Sequence, residues 1–176
     1  MQHERYDDNY ILKILQSVKS IAVVGASPNE TRPSYFVTRY LMSKGYTLIP
    51  VNPGQAGREI AGALTYASLA GIAMPIDMVD VFRNSQAAAA VVDEALALKP
   101  LPQVIWMQLG VRNDAAAARA EAMGVKVVMN RCPKIEYARL AGEIGWAGVS
   151  SGMISSKKPR LSGGFQRFGI ERKPGD

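Results

Sequence analysis

The sequence predicts a doubly wound α/β domain: one five-stranded parallel sheet, in the order 3-2-1-4-5, with helices on both faces in three layers. Two observations carry this. Short apolar runs of the kind that strands buried on both faces require recur along the chain. Between most of them lie longer stretches with helical spacing, and strands alternating with helices imply a parallel sheet joined by right-handed crossovers.

The elements follow in order. A helix over Tyr10 to Val18 places Ile11, Ile14, Leu15 and Val18 at helical spacing. Ser20 to Gly25 is the first strand. Arg32-Pro33-Ser34 opens a helix that runs to Lys44, with Pro33 or Ser34 suiting its first turn and Gly45 its C-terminal cap. Tyr46 to Val51 is the second strand, closed by Asn52-Pro53-Gly54, and a less regular stretch leads to a short helix around Ser68 to Ala70. Asp77 to Phe82 is the third strand. Asn84 caps a helix ending at Lys99-Pro100, and Gln103 to Met107 is the fourth strand. Asn113 caps the helix that Gly124 ends, Val125 to Met129 is the fifth strand, and Cys132-Pro133 starts the last helix.

A chain of 176 residues, 48% hydrophobic and 20% charged, suits one globular domain with a core that needs neither disulfide nor metal. We place that domain at residues 1–150 and a basic, flexible tail at 151–176. One cysteine excludes an intramolecular disulfide. The start is polar and acidic rather than signal-like, and no apolar run reaches the ~20 residues of a membrane span. The expectation is a cytoplasmic protein with no membrane partner.

The net charge is +6, and the tail carries much of it: Lys157, Lys158, Arg160, Arg167, Arg172 and Lys173 stand against Glu171 and Asp176. The body is only mildly basic, which favours a small anionic ligand over nucleic acid.

In open α/β sheets ligands bind beyond the carboxyl ends of the strands, where strand order reverses. That rule selects Gly25-Ala26-Ser27, Val51-Asn52-Pro53, Phe82-Arg83, Gln108-Leu109-Gly110 and Asn130-Arg131-Cys132. Gly25 to Ser27 occupies a phosphate-loop position, where backbone N–H groups, the Ser27 hydroxyl and the following helix N-terminus suit a pyrophosphate. Only the first glycine of G-x-G-x-x-G is present, so Gly25 alone reads first as a turn glycine and second as a ligand contact. At the end of the second strand, Val51-Asn52-Pro53 lacks the acid that takes the ribose hydroxyls of NAD. A phosphorylated ribose is tolerated there, which leaves coenzyme A (CoA) and NADP both open.

Ile21-Ala-Val-Val-Gly-Ala-Ser27, Ile49-Pro-Val-Asn-Pro53, Asp80-Val-Phe-Arg83, Trp106 to Gly110 and Asn130-Arg-Cys-Pro133 together resemble the stand-alone CoA-binding proteins. These are similar to the Rossmann-type CoA-binding domain of the succinyl-CoA synthetase α subunit. The resemblance implies CoA or an acyl-CoA as ligand. Gly25, Ala26 and Ser27 would lie along the pyrophosphate, and Val51, Asn52 and Pro53 beside the adenosine and its 3′-phosphate. Phe82 and Arg83 would close over the nucleotide or the start of the pantetheine, and Gln108 to Gly110 would line the arm. Arg83 is the favoured cation, because a guanidinium fork matches phosphate oxygens; its plainer role is a surface ion pair. Gln55 stands where many relatives carry lysine, and Arg32 or Arg58 is placed to compensate.

The synthetase reaction does not follow from the resemblance, since it needs a phosphorylated histidine from a further domain. The sole histidine here is His3, read as exposed in a frayed segment. A Ser/His/Asp triad, a metal cluster and a Walker loop are missing from the sequence. The reading is therefore a binding, carrier or sensor protein rather than an enzyme. The alternatives are an NADP-dependent reductase and an adaptor acting through its tail. Cys132, at a helix N-terminus beside Arg131, has the setting of a reactive thiol within reach of the CoA thiol; its plainer reading is a buried, inert cysteine. The Tyr35-Phe36-Tyr40 surface is a candidate interface for a protein partner or a homodimer.

Overall fold

The structure, a computed structural model, describes residues 3–143 and 170. Helix α1 (Asp8–Ser17) is capped by the Asp7 carboxylate and leads into β1 (Ser20–Val24). Helix α2 (Pro33–Ser43) and β2 (Thr47–Val51) follow. Next comes a hairpin of two-residue strands, β3 (Glu59–Ile60) and β4 (Ala63–Leu64), then a 3-10 turn at Leu69–Gly71. The remainder alternates: β5 (Met78–Val81), α3 (Ser85–Leu96), β6 (Val104–Met107), α4 (Asp114–Ala122), β7 (Lys126–Val128) and α5 (Pro133–Leu140). Asn84 and Asn113 each accept a backbone N–H three residues on, as N-caps do.

The main sheet is parallel throughout, in the order β2-β1-β5-β6-β7. The doubly wound class is as the sequence predicts, but the strand order needs correcting. Numbered within this sheet alone, the order is 2-1-3-4-5 rather than 3-2-1-4-5. The third strand, β5, lies beside β1 instead of outside β2. Two local features explain this. The outer side of β2 is taken by Tyr66, which bridges Val51 and exchanges backbone bonds with Pro50 and Asn52. The start of β5 is held against the start of β1, where Asp77 accepts the N–H groups of Lys19 at 2.7 Å and Ser20 at 3.0 Å. The reversal therefore falls between β1 and β5, not between the first and fourth strands.

Alternation along each strand feeds two cores. Ala22, Val24, Val79, Val81, Ile105 and Met107 meet α3 and α4, which press small side chains such as Ala88, Ala116 and Ala120 against the sheet. Ile21, Val23, Met78, Val104 and Trp106 meet α1, α2 and α5. Ile11, Ile14 and Leu15 anchor α1, each contributing about 1.5–3 kcal/mol by burial. The Tyr46 hydroxyl donates to the Leu15 carbonyl at 2.7 Å, joining β2 to α1.

The N-terminal segment corrects a second expectation. His3 is buried, with Nδ1 2.9 Å from the Tyr6 hydroxyl and Nε2 3.4 Å from Glu121, and burial lowers its pKa. The Tyr6 hydroxyl in turn accepts the N–H of Met129 at 2.7 Å. Ile170 packs on the second core and donates its N–H to the Tyr137 hydroxyl at 2.9 Å. The rest of the predicted tail lies outside the described residues. Among those residues no helix is long and apolar enough to cross a membrane.

Candidate functional site

A groove of about 490 Å³ opens beside the carboxyl ends of β5 and β6, between the first turns of α2 and α5. Its size falls in the range of small-molecule sites. Phe82 and Arg83 come from the end of β5, Gln108, Leu109 and Val111 from the segment after β6, and Cys132, Lys134 and Ile135 from the start of α5. Thr31, Pro33, Phe36 and Val37 form the α2 side. The lining is mainly apolar, and three rim side chains remain open to solvent: Phe36 at 53%, Leu109 at 57% and Ile135 at 45%. Two cations border it, Arg83 and Lys134. Arg83 forms no ion pair with the described residues.

Of the residues selected from the sequence, the groove brings together Phe82, Arg83, Gln108, Leu109 and Cys132. Gly25, Ala26, Ser27, Val51, Asn52, Pro53, Gly110 and Asn130 are not part of its lining, and most have visible structural duties. Gly25 adopts φ +93°, and a Cβ there would stand 2.5 Å from the Phe82 carbonyl oxygen, so only glycine lets β1 end so close to β5. The N–H groups of Gly25 and Ala26 both donate to the Val51 carbonyl, at 3.0 and 3.4 Å. That of Ser27 donates to Ser34 Oγ at 3.1 Å, and Ser27 Oγ accepts from Asn29. These amides already have partners, which differs from the open phosphate cradle anticipated for the turn. Asn52 joins the turns after β1 and β2, donating to the Ala26 carbonyl at 2.7 Å and accepting from Gly54 N–H at 2.9 Å. Asn130, at φ +52°, accepts the Gly110 N–H at 2.8 Å and fixes the loop after β6.

Beneath the groove lies Asp80, fully buried in β5. Both of its carboxylate oxygens are 3.0 Å from Gln108 Nε2. Desolvation pushes its pKa up to about 8 against the opposing effect of the Gln108 hydrogen bond. Burial also raises the pKa of Cys132, outweighing the N–H groups of Ile135 and Lys134 at the helix start, with nearby Asp80 adding to the rise. This agrees with the reading of Cys132 as a buried, inert cysteine rather than as a reactive thiol. Beside the groove, Trp106 donates its indole N–H to the Arg131 carbonyl at 2.8 Å, pinning the turn that delivers Cys132.

The α2 side and Lys134 were missed in the sequence. Pro33, Phe36 and Val37 carry the i, i+3, i+4 spacing of a helix face, and Lys134-Ile135 directly follow the Cys132-Pro133 helix start. Those signals are also the ordinary signature of a core-facing helix. What turns them into a lining is the gap left between α2 and α5. Among the described residues, no group of three His, Cys, Asp or Glu side chains is placed to hold a metal ion.

Comparison with known proteins places this geometry in context. The chain is 38% identical over 128 residues to the uncharacterized protein YneT of Bacillus subtilis, an alignment covering 73% of this chain and 92% of that one. A solved structure from Thermus thermophilus shares 37% identity at a TM-score of 0.72, covering 77% of this chain and 99% of its own. The fold also recurs, at 21% identity and a TM-score of 0.55, in a dinucleotide-forming acetyl-coenzyme A synthetase of Candidatus Korarchaeum cryptofilum, where it spans 27% of that chain and 68% of this one. Residues 19–138 match the CoA binding domain family, and the chain belongs to that family.

Proposed function

We propose that this protein binds CoA or an acyl-CoA, with the pantetheine arm in the groove between α2 and α5, and acts as a carrier or sensor rather than an enzyme. The single observation that carries the reading is the groove itself: a mainly apolar channel with two border cations, Arg83 and Lys134, at the strand ends of a CoA-binding-family fold. An apolar arm ending in phosphates calls for that combination. Arg83 holds the pyrophosphate or the 3′-phosphate, aided by the exposed Arg32 before α2. The turns at Gly25–Ser27 and Val51–Pro53 flank the nucleotide by shape, since their amides serve the fold. Phe36, Leu109 and Ile135 supply an apolar edge for an acyl chain. Among the described groove residues the Cys132 thiol is a candidate nucleophile, and its raised pKa weakens it toward a bound thioester.

A thermal-shift titration with CoA, acetyl-CoA, 3′-dephospho-CoA, NADP and NAD tests this. Ligand at a hundred times its dissociation constant stabilises by about 2.7 kcal/mol, which for a domain of this size is roughly 5–10 °C. CoA and acetyl-CoA should shift the melt, and dephospho-CoA less. A shift with NADP but not CoA would replace this reading with a reductase.

A further inference from the structure

Gln108 is the polar side chain in an otherwise apolar part of the groove lining, and its environment is unusual. It is only 6% exposed. Its Nε2 is committed to Asp80, while its Oε1 accepts no hydrogen bond from the described residues. With Nε2 turned to Asp80, the other end of the amide is left for the groove that Gln108 lines, where a ligand group can pair with it.

The partner beneath it decides which way the amide can face. Asp80 shares the β5 face of Met78, between Val23 of β1 and Trp106 of β6. No cation neutralises it: among the described residues it has no ion pair, and the ionisable group set against it is the Cys132 thiol from α5. When Asp80 is ionised it can only accept, so Gln108 must turn Nε2–H inward and present its carbonyl oxygen to the groove. When Asp80 carries a proton it can also donate. Gln108 is then free to turn over, accept the Asp80 O–H and present N–H to the groove.

We propose that Gln108 donates a hydrogen bond to a carbonyl on the bound arm, and that Asp80 is the positioning residue whose proton permits it. The ligand group is an amide or thioester carbonyl, both of which an acyl-pantetheine chain carries. This rests on the CoA reading above. Binding of the arm then takes up a proton, and affinity falls as pH rises through the titration of Asp80.

Calorimetric titration of the full chain at pH 7 and pH 9 tests the idea, using CoA, acetyl-CoA and adenosine 3′,5′-bisphosphate, which has the nucleotide but no arm. For one linked proton, CoA should bind about ten-fold more weakly at pH 9 than at pH 7. Titration in buffers of different ionisation enthalpy at pH 9 should show close to one proton taken up per CoA, a measurement that needs no variant. Asp80→Asn should remove the pH dependence, and Gln108→Leu should weaken CoA while leaving adenosine bisphosphate unchanged. A greater pH loss for acetyl-CoA than for CoA would assign the bond to the thioester, and equal losses would assign it to an arm amide. Equal pH profiles for CoA and adenosine bisphosphate, or no proton uptake, would overturn the proposal while leaving the CoA reading intact. If no ligand binds at either pH, both fall together.

Discussion

The Phe82 carbonyl oxygen lies 2.5 Å from the position a Cβ on Gly25 would take, so the ends of β1 and β5 touch through backbone alone. Phe82 N–H also donates to the Val24 carbonyl at 2.8 Å, which keeps the two strands from separating. Gly25→Ala meets both a clash with backbone and the strain of φ +93°. We expect a loss of about 3 kcal/mol, or roughly 6–12 °C in Tm, measured by thermal unfolding without ligand. A variant melting like the wild type would show that the strand ends can part.

Arg83 has the opposite profile. It is exposed and unpaired among the described residues, so Arg83→Ala should leave Tm nearly unchanged. CoA affinity should fall about 10–100-fold, the value of a charge-assisted hydrogen bond to phosphate. The loss should shrink at high salt. Calorimetric titration at two ionic strengths measures both.

Asp80 should also shape the pH dependence of stability. Its folded pKa is raised to about 8, far above that of an unfolded aspartate. The folded state therefore holds its proton where the unfolded chain has released it. The contribution is full below about pH 4, declines as pH rises, and is lost by the time pH passes about 8. Denaturant unfolding from pH 4 to 9 should show the wild type losing stability relative to Asp80→Asn across that window, by an amount on the order of 5 kcal/mol at most.

Cys132 should label slowly. Its raised pKa and burial predict a rate at neutral pH below that of a free thiol, and saturating CoA should slow it further. Stopped-flow labelling with a thiol reagent gives both rates. A rate above the free-thiol value would restore the reactive-thiol reading.

The class of fold was legible because each strand and helix announces itself locally. Pro33 and Pro133 do open helices, and Asn84 and Asn113 do cap them. Strand order was not, because it depends on Asp77 meeting Lys19 and Ser20, a contact between residues 58 and 57 positions apart. The rule about strand ends found Phe82, Arg83, Gln108, Leu109 and Cys132 in the groove. It could not tell a ligand-facing amide from one already bonded across the sheet, as at Gly25 and Ala26. His3 was misjudged for a related reason: its burial is supplied by Tyr6 and the distant Glu121.

The two margins of the main sheet share a feature. On one side Tyr66 pairs with Pro50 and Asn52, and Pro50 itself has no N–H to offer. On the other, β7 is three residues long, begins with an exposed lysine, and has its next N–H, that of Met129, taken by the Tyr6 hydroxyl. Neither margin offers the long unpaired ladder on which another chain could add itself, the usual route from a parallel sheet to aggregates. Resistance to self-templating therefore depends partly on Tyr6, in the short segment ahead of α1 that a fold diagram would leave out.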